Sequence, residues 1–173
     1  MRKTGVVLLV IIAGVLLGLF LSVRNSGRKS YQNDGRITIS HPKVVNNEIV
    51  LIPEEKEIPT KGDPVSLTLQ ALLADGDEHN DDRAIPKGTK LNKVTVTDGL
   101  ATVDFSKEFK ALENSGEAKG SIAMKAILSS LEQFPTIKLV SITVDGVTFA
   151  DSAVGKWENL PVRTDAPPNE APK

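Results

Sequence analysis

The feature that most constrains this chain is an uncharged run from Gly5 to Val23, GVVLLVIIAGVLLGLFLSV, in which Ser22 is the only clearly polar residue. As a helix rising roughly 1.5 Å per residue it would extend about 28 Å, close to the thickness of a bilayer's apolar core. A helix of a water-soluble domain keeps a polar face, and this run has none. It is expected to cross a membrane. A cleavable signal would have a shorter apolar region ending in small residues, whereas this one ends Phe20-Leu21-Ser22-Val23-Arg24. Residues 1–4 therefore read as a short N-terminal tail and 5–23 as an uncleaved transmembrane anchor. A lipid-modified cysteine is excluded because the chain has none. Arg2 and Lys3 on one side nearly balance Arg24, Arg28 and Lys29 on the other, so the positive-inside rule sets no orientation by itself. A short leading tail and one long following domain favour a domain outside the membrane. Gly14 and Gly18 form a small-xxx-small pair, a spacing that suits helix dimerisation and with it a homo-oligomer.

The remainder divides by composition. Residues 24–35 (RNSGRKSYQNDG) are polar and basic and read as a juxtamembrane linker. Residues 165–173 carry Pro167, Pro168 and Pro172 and read as a disordered tail. Residues 36–164 are left as one domain, long enough for a single core. Lys plus Arg number 21 against 22 Asp plus Glu, a net charge of -1. That balance argues against a nucleic-acid partner, which calls for a basic stripe. The absence of cysteine removes disulfides, thiolate nucleophiles and Cys-ligated metals.

Within 36–164 the hydrophobic period alternates between that of strands and that of helices. Arg36–Ser40 reads as a short strand. Glu48–Ile52 reads as a second, stopped by Pro53. Asp63-Pro64 marks a helix start, with Asp as the cap and Pro in the first turn. Val65, Leu69, Leu72 and Leu73 then share one face. That helix is expected to end near Ala74, with Gly76 just beyond it. In residues 91–106, LNKVTVTDGLATVDFS, Asp98-Gly99 suits a two-residue type I′ turn. The resulting register pairs Val94 with Val103 and Val96 with Ala101. Those residues and Phe105 form an apolar face, opposite one bearing Thr95, Thr97, Thr102 and Asp104.

A second helix should run from about Gly116 or Ser121 to Phe134 on Ala123, Met124, Ile127, Leu128 and Leu131, with Pro135 ending it. Lys138–Asp145 reads as a strand with Val140, Ile142 and Val144 on one face. Asp145-Gly146 then turns the chain into Val147-Thr148-Phe149. The order strand, strand, helix, hairpin, helix, strand predicts an α+β fold. Its expected form is a two-layer α/β sandwich with two helices on one face of a small mixed sheet.

No coherent reactive set emerges. The acidic stretch Asp75-Gly76-Asp77-Glu78-His79-Asn80-Asp81-Asp82 places neither Gly nor Glu where a calcium loop requires them, and reads as a solvated surface loop with at most a weak, non-specific divalent site. The only histidines are His41, before Pro42, and His79, inside the acidic loop. There is no Gly-x-Ser-x-Gly elbow and no phosphate-binding glycine motif. Asp104, Glu108 and Glu113 are close in sequence and raise a paired-carboxylate hydrolase. Such clefts favour aromatic platforms, however, and Phe105 and Phe134 are wanted by the core. Trp157 is the aromatic best suited to an exposed contact, with a partly buried cap on the sheet as the other reading. No catalytic, cofactor-binding or metal-binding residue is assigned, and no cofactor is expected.

Two segments, Ile85-Pro86-Lys87-Gly88-Thr89-Lys90-Leu91 and Thr102-Val103-Asp104-Phe105-Ser106, resemble the GerMN domain family of sporulation and spore germination. Leu51–Pro59 (LIPEEKEIP) is similar to its early segment, with Lys56 where the family often has Arg. Leu131–Pro135, Val144-Asp145-Gly146 and Leu160-Pro161-Val162-Arg163 are similar to its later ones. The resemblance covers roughly residues 36–164. Ala74-Asp75-Gly76-Asp77 departs from the family's usual Gly-Pro after the paired leucines, and Ser130-Leu131-Glu132 from its usual Thr-Leu-Thr. The resemblance implies a non-enzymatic domain, similar to ring-building domains, lying outside the cytoplasmic membrane of bacteria. It makes Val103 and Phe105 core residues, and Asp104 and Ser106 partners of backbone donors. The expected partners are the membrane, through 5–23, and envelope proteins or peptidoglycan. The expected function is that of an interaction or scaffold domain, with a wall-polymer binding module as the alternative, drawing on Trp157 and the acidic loop.

Overall fold

Two β-hairpins, two α-helices and one 3₁₀ helix account for most of the residues described by the computed structural model, which are 34–46, 48–78, 84–151 and 155–162. The expected anchor at 5–23 and tail at 165–173 lie outside the described residues, as does most of the linker.

The hairpin at 91–106 forms as its turn requires. Strands β3 (Leu91–Thr97) and β4 (Leu100–Phe105) pair Val94 with Val103 and Val96 with Ala101. Asp98 and Gly99 have φ of 50° and 86°, the left-handed pair a type I′ turn needs. The inward side chains of β4 are fully buried. Those of β3 are not: Val94 is half-buried and Val96 is 42 % exposed. The shared buried face expected for the hairpin thus stops at β4, because β3 is the sheet's edge strand. Beyond β4 the 3₁₀ helix Lys107–Asn114, which the hydrophobic period does not announce, buries Phe109 and Leu112. Helix α2 (Glu117–Leu131) then returns the chain to β5 (Leu139–Val144), parallel to β4. The expected helix end at Phe134 falls in a turn instead, where the Phe134 and Ile137 amides bond to the Leu131 and Phe134 carbonyls. Strands β6 (Val147–Thr148) and β9 (Leu160–Pro161) both pair with β5, at opposite ends of it. Strands β7 (Ala150–Asp151) and β8 (Gly155–Lys156) form a small ladder of their own.

The N-terminal hairpin is longer than its periodicity indicates. Strands β1 (Arg36–Val45) and β2 (Glu48–Glu57) run ten residues each, and β2 passes straight through Pro53. The amides of Thr38 and Ser40 point away from β2, toward Gln133 Oε1 and Ser130 Oγ. In an antiparallel ladder that makes 38↔55, 40↔53 and 42↔51 the non-hydrogen-bonded pairs. Pro53 and Pro42 therefore both sit where no ladder donor is required, which is why Pro53 does not stop the strand.

Helix α1 (Pro64–Glu78) starts as expected: Asp63 Oδ2 accepts from the Ser66 amide at 2.9 Å and its hydroxyl at 2.6 Å. It does not end at Ala74, however, and continues through Gly76. Internal glycine costs about 1 kcal/mol in a helix, and here the extra turn carries Asp75 into contact with the first hairpin.

The fold is α+β with mixed sheets. The expected single sheet is three among the described residues, because β1–β2 does not join β3–β4–β5 and β7–β8 stands apart. The Gln133 side-chain amide takes the place a neighbouring strand would have, accepting from the Thr38 N–H at 3.0 Å and donating to the Thr38 carbonyl at 2.7 Å. One core unites Ile37 and Ile39 of β1, Leu69 and Leu72 of α1, Ile127 and Leu131 of α2, and the inner faces of β4 and β5.

Candidate functional site

Three elements converge on one charged cluster. β1 supplies His41, β2 supplies Glu54 and Lys56 two residues apart on one face, and the last turns of α1 supply Asp75. His41 Nδ1 lies 3.2 Å from Glu54 Oε2 and 3.2 Å from Asp75 Oδ2. Lys56 Nζ lies 2.9 Å from Glu54 Oε1 and 3.0 Å from Asp75 Oδ1. Each carboxylate thus offers one oxygen to the imidazole and the other to the ammonium. The Asp75 side chain is 2 % exposed, His41 20 %, Lys56 28 % and Glu54 39 %. Hydrogen bonds to Glu54 and then Asp75 hold the Lys56 ammonium above the ordinary lysine range, against the burial that would lower it. The cluster contains no hydroxyl or thiol nucleophile. Its chemistry is that of a brace between hairpin and helix, or of a cation site.

The other candidates are dispersed. Asp104 faces the threonine side of the sheet, as expected. Its Oδ1 accepts from the Thr143 hydroxyl at 2.6 Å and the Gly146 amide at 2.8 Å, and its Oδ2 from Asn92 at 3.1 Å. Burial opposes its charge, but the Thr143, Gly146 and Asn92 bonds, with Lys93, prevail and hold the carboxyl below the usual aspartate value. Ser106 Oγ accepts from the Lys90 amide at 2.9 Å and its hydroxyl donates to Glu108. That bond is the main reason the Glu108 carboxyl lies below its ordinary value. Glu113 is exposed on the 3₁₀ helix. Asp104 and Ser106 each accept a backbone N–H at a strand end or turn, the role expected of them.

Trp157 is not an exposed contact. It is fully buried, edge-on to Phe149 at 5.1 Å and to Phe109 at 5.8 Å. Its backbone explains this: the Trp157 amide donates to Phe149 and its carbonyl accepts from Ile142, fixing the ring over the core end of β5. The stretch expected as an acidic loop is helical from Asp75 to Glu78, while His79 and residues 80–82 lie outside the described residues.

Glu54 and Lys56 are the site residues that periodicity misses. The strand was expected to stop at Pro53, so neither could be placed on a face. The available signal was the alternation Ile52-x-Glu54-x-Lys56 continuing beyond the proline.

The described residues form an α+β domain in which charged and polar groups tie the N-terminal hairpin to helix α1. The family described as sporulation and spore germination, Germane, matches residues 32–149, and the chain belongs to it. The first GerMN domain of the sporulation protein GerM from Bacillus subtilis is similar in fold, with 19 % identity, a TM-score of 0.53, and coverage of 72 % of this chain and 97 % of that one. The tandem GerMN domains of the same protein align at 24 % identity and a TM-score of 0.49 over 70 % of this chain, which spans 44 % of theirs. A proposed lipoprotein from Clostridium perfringens aligns at 20 % identity and a TM-score of 0.47, covering 73 % of this chain and 86 % of that one. No curated protein matches the chain.

Proposed function

We propose that this chain is a membrane-anchored bacterial envelope protein whose GerMN-type domain acts outside the cytoplasmic membrane, without enzymatic activity, as an interaction or scaffold module in sporulation or germination. One observation carries this reading. The family match begins at residue 32, directly behind the uncharged run 5–23 and a short basic linker. Among the described residues no helix is long and apolar enough to cross a membrane, so the anchor rests on that run alone. The absence of turnover is supported by the engagement of Asp104 and Glu108 in bonds within the fold. Binding of wall polymer has lost its aromatic candidate with the burial of Trp157. Envelope proteins, and a second copy through Gly14 and Gly18, are the partners this reading expects.

The test combines topology with capture. Full-length protein is expressed in a Gram-positive host and protoplasts are treated with protease. In parallel, a photo-crosslinking residue is placed at exposed Val147. Digestion of the domain in intact protoplasts, with crosslinks to envelope proteins that vanish when residues 1–23 are deleted, is the expected result. A protected domain overturns the location. Saturable pelleting with purified sacculi turns the reading to wall binding, and hydrolysis of muramyl substrates abolished by a point variant turns it to catalysis.

A further inference from the structure

The ligand atoms of His41, Glu54 and Asp75 all lie within 4.8 Å of one another. We propose that these residues form a site for a zinc-type divalent transition ion, bound by His41 Nδ1, Glu54 Oε2 and Asp75 Oδ2. The distances carry the argument. Ligands bonded at about 2.0–2.1 Å in a tetrahedron stand roughly 3.3 Å from one another. Nδ1 is 3.2 Å from each of the two oxygens, so two of the three edges already have the length a bound ion would set; the third, between the carboxylates, is within 4.8 Å and would close on binding. A charge-assisted N–H···O bond contracts to about 2.7–2.9 Å, and one Nδ1 proton cannot serve two carboxylates at that length.

The donors fit the same class of ion. One imidazole nitrogen with two carboxylate oxygens suits a borderline metal. Calcium takes six to eight oxygens, and magnesium near-octahedral oxygen ligation. Lys56 is bonded to the outer oxygen of each carboxylate. It fixes which oxygen faces inward, as an outer partner of a metal site does, and its charge lowers affinity while leaving the geometry intact. The buried Asp75 comes from α1, while His41 and Glu54 are partly exposed, so water is the expected fourth ligand. The three ligands come from β1, β2 and α1, so an ion would tie the N-terminal hairpin to the helix.

The chelator-treated full-length protein is titrated with zinc against a chromophoric competitor, and separately with cobalt(II). The expected result is one ion per chain, the visible absorption of tetrahedral cobalt, and a Tm raised by about 5 °C or more at a hundredfold excess over Kd. Magnesium should not produce that rise. His41→Gln and Glu54→Gln, both at partly exposed positions, should weaken binding at least about tenfold and remove the cobalt band. Circular dichroism in the absence of metal checks that both variants remain folded, and His79→Gln should bind as the parent does. Absence of binding, binding unchanged in His41→Gln, or binding lost in His79→Gln overturns the proposal and leaves the cluster as an ion-pair brace.

Discussion

The hairpins β1–β2 and β3–β4 are built on different principles. β3–β4 is short, turns on Asp98-Gly99 and continues into a parallel strand, so its inner strand is buried by neighbours on both edges. β1–β2 runs ten residues a side, carries a proline in each strand and joins no other sheet. Its outer edge is closed by the side chains of Gln133 and Ser130, and its inner face is pinned to Asp75 of α1 by His41 and Lys56. One hairpin is held by apolar packing that sequence period encodes directly. The other adds to its buried Ile37 and Ile39 a set of single polar contacts between residues 19 to 95 positions apart.

The largest expected effect comes from the packed hairpin. Phe105→Ala removes a fully buried ring stacked on Phe109 at 4.6 Å, and should cost about 3–5 kcal/mol. Chemical denaturation should show the whole domain destabilised together, since Phe105 belongs to the one core that reaches β1 and both helices. Asp75→Asn attacks the other hairpin. It leaves Lys56 and His41 facing a neutral amide at a buried position, and should cost about 2 kcal/mol, below the value for a fully buried pair because its partners reach water. Hydrogen exchange then separates the regions: amides of β1 and β2 should lose protection before those of β4 and β5. Equal loss in both would show that the charged cluster braces the entire domain rather than one hairpin.

What could be read from the sequence follows the same division. Asp98-Gly99 fixed the register that the structure shows from Thr97↔Leu100 to Lys93↔Asp104, because a type I′ turn sets which residues next to it face each other; beyond that a bulge places Leu91 opposite Phe105. Val65, Leu69, Leu72, Ile127 and Leu131 could be placed by period because burial is what period reports. Pro53 misled because its effect depends on ladder phase, which only the partner strand determines. Gly76 misled because a tertiary contact at Asp75 outweighed a local propensity of about 1 kcal/mol. Those two residues bound the segments that carry the cluster, so two local errors hid one site. Trp157 misled differently: its surrounding sequence is irregular, and the backbone bonds to Phe149 and Ile142 that bury it leave no periodic trace.

A smaller effect probes the closed edge of β1. Gln133→Ala removes the acceptor of the Thr38 amide and a donor to its carbonyl. The cost should be about 1–2 kcal/mol, confined to β1 in hydrogen exchange. The exposed edge so created is a template for strand addition, and light scattering should show slow self-association that the parent lacks. A variant that frays without associating would mean that the prolines alone protect this hairpin from pairing.

The smallest effect returns to β3–β4 and its one organised carboxylate. Asp104 ties β4 to the Asp145-Gly146 turn through Gly146 and Thr143. Asp104→Asn keeps the shape and removes the charge, and should cost at most about 1 kcal/mol at pH 7 because the group is near solvent. The pH dependence identifies the cause. The folded carboxyl titrates below the ordinary 3.8, so the ionised form is the stabilising one. Its contribution is complete above about pH 5 and is lost as pH falls through the depressed folded value. The stability difference between parent and Asp104→Asn should therefore be constant from neutrality down to about pH 5 and shrink below that. A difference that persisted undiminished at pH 2 would mean that Asp104 acts through the shape of its hydrogen bonds. This hairpin would then owe nothing to charge, and the contrast with β1–β2 would be complete.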